Sequence, residues 1–513
     1  MSSPASLKRR LGIIDLGSNS VRLVVAHYTP GHAFRIVEEH SRRVRLSEGM
    51  SAGHHLLQPE AMDRTLATLK LFRDLCAASG VTRLLPVATA AVRDAANRKE
   101  FLENARRVTG LKFRVLTGEE EAYLGALAVV NGLGVRDGVV MEVGGGSAQV
   151  SEVRRGKSKR GVTTPLGAVR LTEMFLKSDP VREDEAARLA DHIARTFEAW
   201  EWMRVEAGGA LVGMGGTARA LAVIDRTARQ YPLDLINGYE LELARLEPLV
   251  EELRTLPVSE RVKNVPGLLA DRADIILAGA MVVAGALRRA GADRMLVSSM
   301  GVREGLLYQA FLEPGPPVIR NLREFSVLNL RRLYCPTLPD VSPVAKLALA
   351  LFDELAPFHG YGEAAREQLW AAAQLLDIGA AVDYRDPYRH AAYLILGAGL
   401  PGYTHRETAL VALLCLQQRG DGSPPDPAAS ALENGAARWT SRLGALLRLA
   451  AALERGRRPA IASVRAATAG RDTLRLRVRA RRGRDIRWEL AEAQRAADLF
   501  EAAFDCKLLV EEA

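Results

Sequence analysis

The residues that first suggest chemistry lie where an apolar run ends in a carboxylate, Asp15. The turn that follows it consists of Gly17, Ser18, Asn19 and Ser20, and the residues after the turn alternate between apolar and polar. This pattern predicts two antiparallel strands joined by a tight turn. The N–H groups of such a turn, with the Ser hydroxyls, can converge on an anion, and the carboxylate can hold a cation. The alternative is an ordinary hairpin with a solvated Asp.

The same pattern recurs where a second apolar run ends in Glu142. Its turn consists of Gly144, Gly145, Gly146 and Ser147, and another largely apolar strand follows. Internal repetition of this kind indicates structurally equivalent halves. Two such hairpins could close on one phosphate chain and one metal ion from both sides. The repetition therefore favours a phosphate site over two unrelated hairpins.

A third unit, at 210–218, is predicted to run from a strand through a Gly-rich turn into a helix, and its turn contains Gly215, Gly216 and Thr217. It loosely matches the dinucleotide-binding fingerprint, which is a weak signal by itself. A helix follows directly, and the N-terminus of a helix attracts phosphate. We therefore predict a third loop that binds phosphate or a nucleoside.

Three consecutive acidic residues, Glu119, Glu120 and Glu121, open another predicted helix. Carboxylates in the first turn interact favourably with the helix dipole, so all three could be capping residues. The residue types alone do not separate capping from a role in chemistry. Upstream of them, the small-residue segment 89–97 carries one arginine, Arg93.

The elements that would position these turns alternate between strands and helices up to about residue 310, which is typical of an α/β protein. A Pro-rich linker at 313–317 ends this part. Helical periodicity then dominates, with a polar, Pro-rich loop at 420–427, and a small mixed tail follows. We predict an α/β fold class, with two α/β domains, an all-helical domain and a small C-terminal domain. Their boundaries are predicted at 1–128, 129–313, 318–455 and 456–513.

The overall composition limits the compartment and the class of partner. The 513 residues carry a net charge of +9, which attracts polyanions without choosing among nucleic acid, acidic membranes and polyphosphate. The four cysteines form no C-x-x-C pair, which argues against a disulfide framework or a zinc site and indicates a reducing compartment. We see no secretory signal, and the apolar run 275–287 is too short to cross a bilayer. We therefore expect a cytoplasmic protein.

The tail is rich in arginine, with twelve Arg against two Asp between residues 455 and 487. In its predicted strand, apolar residues alternate with Arg475, Arg477 and Arg479. One interpretation is a solvated face that keeps an unpaired edge strand soluble. The other is a stripe that follows a long polyanion such as polyphosphate.

Taken together, these motifs resemble the exopolyphosphatase/guanosine pentaphosphate phosphohydrolase (Ppx/GppA) family, within the actin-like ATPase (ASKHA) superfamily. The matching segments are 15–20, 89–97, 118–122, 144–147, 165–173, 215–217 and 299–307, in order. The helical part resembles the family's HD-like domain through 375–379 and 400–407. The resemblance implies two actin-like (ribonuclease H-like) α/β domains, an all-α HD-like domain and a small C-terminal α/β domain.

The resemblance also implies an exopolyphosphatase that releases orthophosphate from polyphosphate ends. Glu121 would activate the attacking water, and Arg93 would bind phosphate oxygens. Mg²⁺ (or Mn²⁺), held by Asp15 and Glu142, would neutralise developing charge. The phosphate-binding set would be Gly17, Ser18, Asn19, Ser20, Gly144, Gly145, Gly146, Ser147, Gly215, Gly216 and Thr217. Glu120 would be only a neighbour at the helix start.

Three positions depart from the family pattern. Glu142 stands where the family usually has Asp, and Gln149 where it usually has Glu, so we predict a weakened metal site. Leu376 replaces the His of the His-Asp pair, so we expect the HD-like domain to bind or dimerise rather than to catalyse. The expected assembly is a homodimer that binds polyphosphate and guanosine polyphosphates, with neither membrane nor nucleic acid as partner.

Alternative functions stay open at this point. One is a guanosine pentaphosphate (pppGpp) 5′-phosphohydrolase, and another is a non-catalytic sensor of (p)ppGpp or polyphosphate. A third is a phosphotransferase such as a sugar kinase. Those kinases usually take an Asp as base, so the acidic motif at 118–122 argues against this third function.

Overall fold

The structure is a computed structural model that describes residues 7–50, 55–206, 208–338, 342–419, 436–456, 459–469 and 472–513. The polar loop predicted at 420–427 lies outside the described residues. The chain divides into two compact units. The first contains the described residues up to Tyr231 together with Ile236–Leu322, and the second contains Pro232–Leu235 and Arg323–Ala513. No helix within the described ranges is long and apolar enough to cross a bilayer.

The first sheet of the first unit is built around a hairpin. Its strands are β1 (Arg9–Leu16), β2 (Ser20–Thr29), β3 (Ala33–Arg43), β4 (Arg83–Ala88) and β5 (Arg114–Val115), in the order β3-β2-β1-β4-β5. β1 is antiparallel to β2 and parallel to β4. Ile14 and Leu23 of the sheet share one core with Phe72 and Phe101 of the covering helices. Both strands of the first hairpin therefore contribute apolar residues to this core.

The second sheet repeats the first. Its strands are β6 (Gly138–Val143), β7 (Ala148–Arg154), β8 (Lys157–Thr164), β9 (Ala210–Met214), β10 (Tyr239–Glu242) and β11 (Arg294–Val297). Their order is β10-β11-β9-β6-β7-β8, with β6 antiparallel to β7 and parallel to β9. Apart from β10, each strand has a counterpart of the same direction in the first sheet: β6, β7, β8, β9 and β11 correspond to β1, β2, β3, β4 and β5. The predicted internal repeat is thus confirmed.

Helices connect these strands and cover the two sheets. Those of the first unit are Pro59–Ala78, Ala90–Arg93, Arg98–Thr109, Gly118–Leu133, Ala168–Phe175, Glu183–Glu198, Gly215–Ala228, Leu243–Thr255, Val258–Asn264, Ile276–Ala290 and Val302–Leu312. The helix Ile276–Ala290 is almost wholly buried and shares a core with Ile193 and Phe197 of the helix Glu183–Glu198. This accounts for the apolar run at 275–287.

In the second unit, the described residues between 323 and 453 are mainly helical. Its helices are Leu322–Tyr334, which begins at the end of the first unit, and Pro343–Glu354, Ala356–His359, Glu363–Leu375, Pro387–Ala398, His405–Leu416 and Ala436–Leu453. A small sheet follows, formed by β12 (Ile461–Thr468), β13 (Thr473–Ala480) and β14 (Lys507–Glu512), with the helices Arg487–Arg495 and Ala497–Phe504 between β13 and β14. The predicted mixed α/β fold, with two sheet-containing domains, a helical region and a small sheet domain, is confirmed.

The arginine-rich strand is β13, and it lies between β12 and β14. The prediction that this strand is an unpaired edge is therefore wrong, because β13 is hydrogen-bonded on both sides, whereas the interpretation of its arginines as a solvated face stays open. Leu474, Leu476 and Val478 are buried, whereas Arg477 and Arg479 are exposed. Glu511 of β14 lies 3.1 Å from Arg477, so one acidic side chain partly offsets the positive face.

Candidate active site

The predicted turns line one cleft in the first unit. The cleft encloses about 770 Å³, part of it open to solvent. It brings together residues that are far apart in sequence: Asp15, Gly17, Ser18, Asn19, Ser20, Glu121, Glu142, Gly144, Gly145, Gly146, Ser147, Gly216 and Thr217. The repeat therefore places both hairpins at a single site.

The two hairpin turns have the same internal hydrogen bond. The Gly17 N–H donates to the Ser20 carbonyl at 3.1 Å, and the Gly144 N–H donates to the Ser147 carbonyl at 2.9 Å. The N–H groups between these ends belong to Ser18, Asn19, Gly145 and Gly146, and they have no acceptor within the described part of the chain. Clustered, unpaired N–H donors form a concave site that suits an anion such as phosphate.

The second turn is held from outside by the start of the helix Ala168–Phe175. The Ala168 N–H donates to the Gly144 carbonyl at 2.9 Å, and the Val169 N–H donates to the Gly145 carbonyl at 3.0 Å. Gly167 packs against the backbone of the turn so closely that a Cβ atom would overlap it. The motif at 165–173 thus positions the second turn.

The acidic residues at the start of the helix Gly118–Leu133 separate into two roles. Thr117 is the N-cap, and its N–H donates to Glu120 at 2.9 Å in a reciprocal capping box. Glu120 also pairs with Arg114. Glu121, by contrast, is buried and lines the cleft. Only one of these two carboxylates is therefore placed for chemistry.

Glu121 has an environment that holds its proton unusually tightly. Burial raises the pKa of Glu121 from 4.5 to about 7, and the nearby carboxylates Glu142 and Asp15 add to the effect. Arg93 opposes the shift and donates a hydrogen bond to the Glu121 carboxylate. Arg93 also donates to the Leu116 carbonyl at 3.2 Å and therefore contacts the cleft through Glu121 instead of lining it. A carboxylate with a pKa near 7 is suited to proton transfer at neutral pH.

Asp15 and Glu142 occupy equivalent positions, near the ends of β1 and β6. Burial raises the pKa of both carboxyls, and Asp15 adds repulsion at Glu142, while Arg22 opposes both shifts. Two oxygen donors that repel each other fit Mg²⁺, which usually keeps several waters and takes one or two carboxylates. Among the described residues, no group of three His, Cys, Asp or Glu side chains could hold a metal. Water and substrate oxygens would therefore have to complete the coordination of a bound ion.

Arg22 lines the cleft but was not among the predicted site residues. It lies opposite Asp15 in the β1–β2 register, and Gln149 lies opposite Glu142 in the β6–β7 register. Arg22 and Gln149 are therefore counterparts in the repeat. Aligning the two halves of the sequence would have identified Arg22.

Arg272 is a second cleft residue that the sequence analysis missed. It packs against Gly216, where a Cβ atom would overlap the guanidinium. Burial lowers the pKa of Arg272, and repulsion from Arg22 lowers it further. No acidic side chain in the described ranges forms an ion pair with Arg22 or Arg272. Their charges are offset at longer range, by Asp15 and Glu142 for Arg22 and by Asp271 for Arg272. Arg272 precedes a helix without any motif, so no sequence signal marked it.

Gly215 does not line the cleft, although its turn does. Its φ angle is +82°, and its missing side chain leaves room for Glu142. Thr217 donates its hydroxyl to the Val143 carbonyl at 3.1 Å and so ties the third turn to the second strand-and-turn unit. Gly215 thus supports a carboxylate of the site instead of contacting the cleft.

The sequence pattern of the Ppx/GppA phosphatase family matches residues 24–313, and the pattern of domain III of Ppx/GppA phosphatases matches residues 322–494. The chain belongs to the Ppx/GppA phosphatase family. The family resemblance predicted from the motifs is therefore confirmed. Membership of this family implies that the chain is a phosphatase. The three turns predicted to bind phosphate all contribute residues to its cleft.

Solved structures of other Ppx/GppA proteins share this fold. A family member from Aquifex aeolicus is 31% identical, with a TM-score of 0.53, over 60% of this chain and 98% of that one. The Aquifex aeolicus PPX-GPPA enzyme is 32% identical, with a TM-score of 0.50, over 58% of this chain and 98% of that one. An exopolyphosphatase from Cytophaga hutchinsonii is 23% identical, with a TM-score of 0.54, over 61% of this chain and all of that one. The last likeness concerns the fold alone.

Proposed function

We propose that this chain is an exopolyphosphatase, which hydrolyses the terminal phosphoanhydride bond of inorganic polyphosphate and releases orthophosphate. The observation that carries the proposal is the pair of turns with unpaired N–H donors that share one cleft with Glu121. Arg22 and Arg272 add two positive charges to the same cleft, and neither forms a salt bridge in the described part of the chain. Membership of the Ppx/GppA phosphatases supports the reaction class.

In the proposed reaction the chain supplies positioning, charge and a base. Phosphoryl transfer passes through a loose transition state, so catalysis rests mainly on orientation and on stabilising charge on the phosphoryl oxygens. The turn N–H groups and Arg22 would hold the terminal phosphates. Glu121, as the carboxylate, would take a proton from the attacking water. Arg93 would orient Glu121 through their hydrogen bond.

Asp15 and Glu142 are the residues that would hold Mg²⁺ or Mn²⁺. The bound ion would supply neutralisation of charge on the phosphates. Gln149 is a neutral neighbour of this pair, and its side-chain N–H donates to the Ser147 hydroxyl at 2.9 Å. Gln149 would therefore stabilise the second turn, and a Glu at this position would add a negative charge beside the ion.

Two other functions use the same site. The first is a pppGpp 5′-phosphohydrolase, because pppGpp presents a triphosphate to the same turns and base. The exposed arginines of β13 favour a longer polyanion, since a nucleotide gains little from a further basic surface. The second is a non-catalytic sensor of (p)ppGpp or polyphosphate, which the departures at Glu142 and Gln149 motivate.

The deciding experiment measures phosphate release from long-chain polyphosphate and from pppGpp side by side, with Mg²⁺ or Mn²⁺. We expect faster release from polyphosphate. Faster release from pppGpp would favour the phosphohydrolase, and tight binding of either substrate without release would favour the sensor. Light scattering on the same sample tests the proposed homodimer. The proposal includes neither nucleic acid nor membrane as a partner, and it places the protein in the cytoplasm.

A further inference from the structure

A salt bridge beside the cleft joins the first turn to the segment that carries Arg272. Arg45 Nη2 lies 2.6 Å from Asp274 Oδ2, and Arg43 Nη2 lies 3.9 Å from the same oxygen. Asp274 Oδ1 is buried and has no hydrogen-bond partner in the described part of the chain. Arg45 thus makes the shortest ionic contact with Asp274, and the buried Arg261 attracts the same carboxylate at longer range.

On one side of the bridge, Arg45 is fixed to the backbone of the first turn. The N–H groups of Val44 and Arg45 both donate to the Asn19 carbonyl, each at 2.9 Å. The Ser47 N–H donates to the Ser18 carbonyl at 3.1 Å. Arg45 has a φ angle of +46°, a left-handed conformation that is unfavourable for residues with a side chain. These hydrogen bonds hold that conformation, so the guanidinium moves with the turn.

On the other side, Asp274 lies within a tight turn that ends in the cleft wall. The N–H groups of Ile275 and Ile276 donate to the Arg272 carbonyl at 3.0 and 2.9 Å. Arg261 is buried and donates to the Ala273 carbonyl at 2.8 Å. The segment between Arg272 and Asp274 is therefore rigid, and a displacement of Asp274 would move Arg272.

We propose that Arg45 and Asp274 are positioning residues that set the distance between the first turn and Arg272. This proposal rests on the proposed function, since it assumes that a phosphate chain bridges the turn and Arg272. Neither side chain lines the main cleft. Both line a neighbouring cavity of about 650 Å³, part of it open to solvent, that meets the cleft at Asn19 and Ile275. They would act through the cleft walls and not by contact with substrate.

The direction in which Asp274→Asn changes the KM for polyphosphate distinguishes a positioning role from a purely electrostatic one. Asp274→Asn removes a negative charge near a site for a polyanion. If only the field mattered, this substitution would lower the KM for polyphosphate. If the salt bridge sets the geometry, the same substitution raises the KM, because Arg272 loses its fixed distance from the turn. Arg45→Met raises the KM under both explanations and is informative only in combination.

The experiment compares Asp274→Asn, Arg45→Met, the double variant and the charge exchange Arg45→Asp with Asp274→Arg. We expect Asp274→Asn to raise the KM for long-chain polyphosphate about tenfold and to change kcat by less than about twofold. The double variant should be no worse than either single variant, because the two residues act as one unit. The charge exchange should recover most of the loss. The matched control is Arg288→Met, which breaks an exposed pair with Glu247, 2.7 Å apart, and should leave the KM unchanged.

An unchanged or lower KM in Asp274→Asn would overturn the proposal. If the thermal midpoint shows that Asp274→Asn does not fold, the test uses the charge exchange Arg45→Asp with Asp274→Arg instead. A KM of that variant no lower than the KM of Arg45→Met would then overturn the proposal. The dissociation constant for polyphosphate is measured in parallel for every variant, with the same expectation as for KM. A wild-type chain without turnover would thus refute the proposed function, while the affinities would still test the positioning pair.

Discussion

Replacing Glu121 with Gln removes the only buried carboxylate of the acidic motif while keeping its shape and its ability to accept a hydrogen bond from Arg93. The pKa of Glu121 is raised from 4.5 to about 7, mainly by burial. A difference of about 2.5 between these two values corresponds to about 3 kcal/mol of cost for the charged form in the folded protein. This cost is what makes the carboxylate basic enough to accept a proton from water.

The substitution should lower turnover of polyphosphate by about 10²- to 10⁴-fold, the usual contribution of a general base. Binding of polyphosphate should stay near the wild-type level or become tighter, because a negative charge is lost. In the wild type, turnover should fall about tenfold for each pH unit below about 7, where Glu121 becomes protonated. The residual turnover of the Gln variant should lack this acidic limb.

The same pKa shift has a consequence for stability. Between pH 4.5 and about 7 the folded state holds a proton on Glu121 that the unfolded state has released. The free energy of unfolding of the wild type should therefore decrease as pH rises through this window, by up to about 3 kcal/mol from this group. The Gln variant should lose this contribution. Denaturant unfolding at several pH values measures the difference.

The matched control is Glu120→Gln, one residue away on the same helix. Glu120 forms the capping box with Thr117, and Gln can take the same place in such a box. The replacement should therefore cost less than about 1 kcal/mol of stability, mainly through the exposed pair with Arg114, and leave turnover and its pH profile close to wild type. Near wild-type turnover in Glu121→Gln would refute the assignment of the base. An acidic limb of the pH profile that is identical in the wild type and in Glu121→Gln would also refute it. Glu120 would then be the next residue to test.

Three further predictions concern the metal, the cleft wall and the basic strand. Glu142→Asp combined with Gln149→Glu should lower the Mg²⁺ concentration needed for half-maximal rate, and an unchanged titration would mean that neither position affects the ion. Gly216→Ala should raise the KM several-fold because a Cβ atom would displace Arg272, whereas a normal KM would show that Arg272 does not bind substrate. Replacing Arg475, Arg477 and Arg479 of β13 with Ser should raise the KM for long polyphosphate chains and flatten the salt dependence of that KM. An equal effect on the KM for pppGpp would favour the interpretation of these arginines as a solvated face.

The sequence by itself determined the local elements of the site. Asp15 and Glu142 each end an apolar run and precede a Gly-rich turn, and both turns have the expected hairpin hydrogen bond. The repeat between the two halves was visible because equivalent strands need the same pattern of residues. Thr117 and Glu120 form a capping box that depends on residues three apart. These features were predictable because backbone dihedrals and nearby hydrogen bonds depend on neighbouring residues.

Only the tertiary structure decided which distant residues share the cleft. Arg272 reaches the site because the segment before a buried helix passes Gly216, and no pattern in the sequence encodes that approach. The hydrogen bond from Arg93 to Glu121 and the bridge from Arg45 to Asp274 likewise join residues on separate elements. The position of β13 inside its sheet depended on β14, which follows two helices later. Such contacts depend on how whole elements pack, because burial and charge pairing are properties of the assembled core and not of any short stretch of chain.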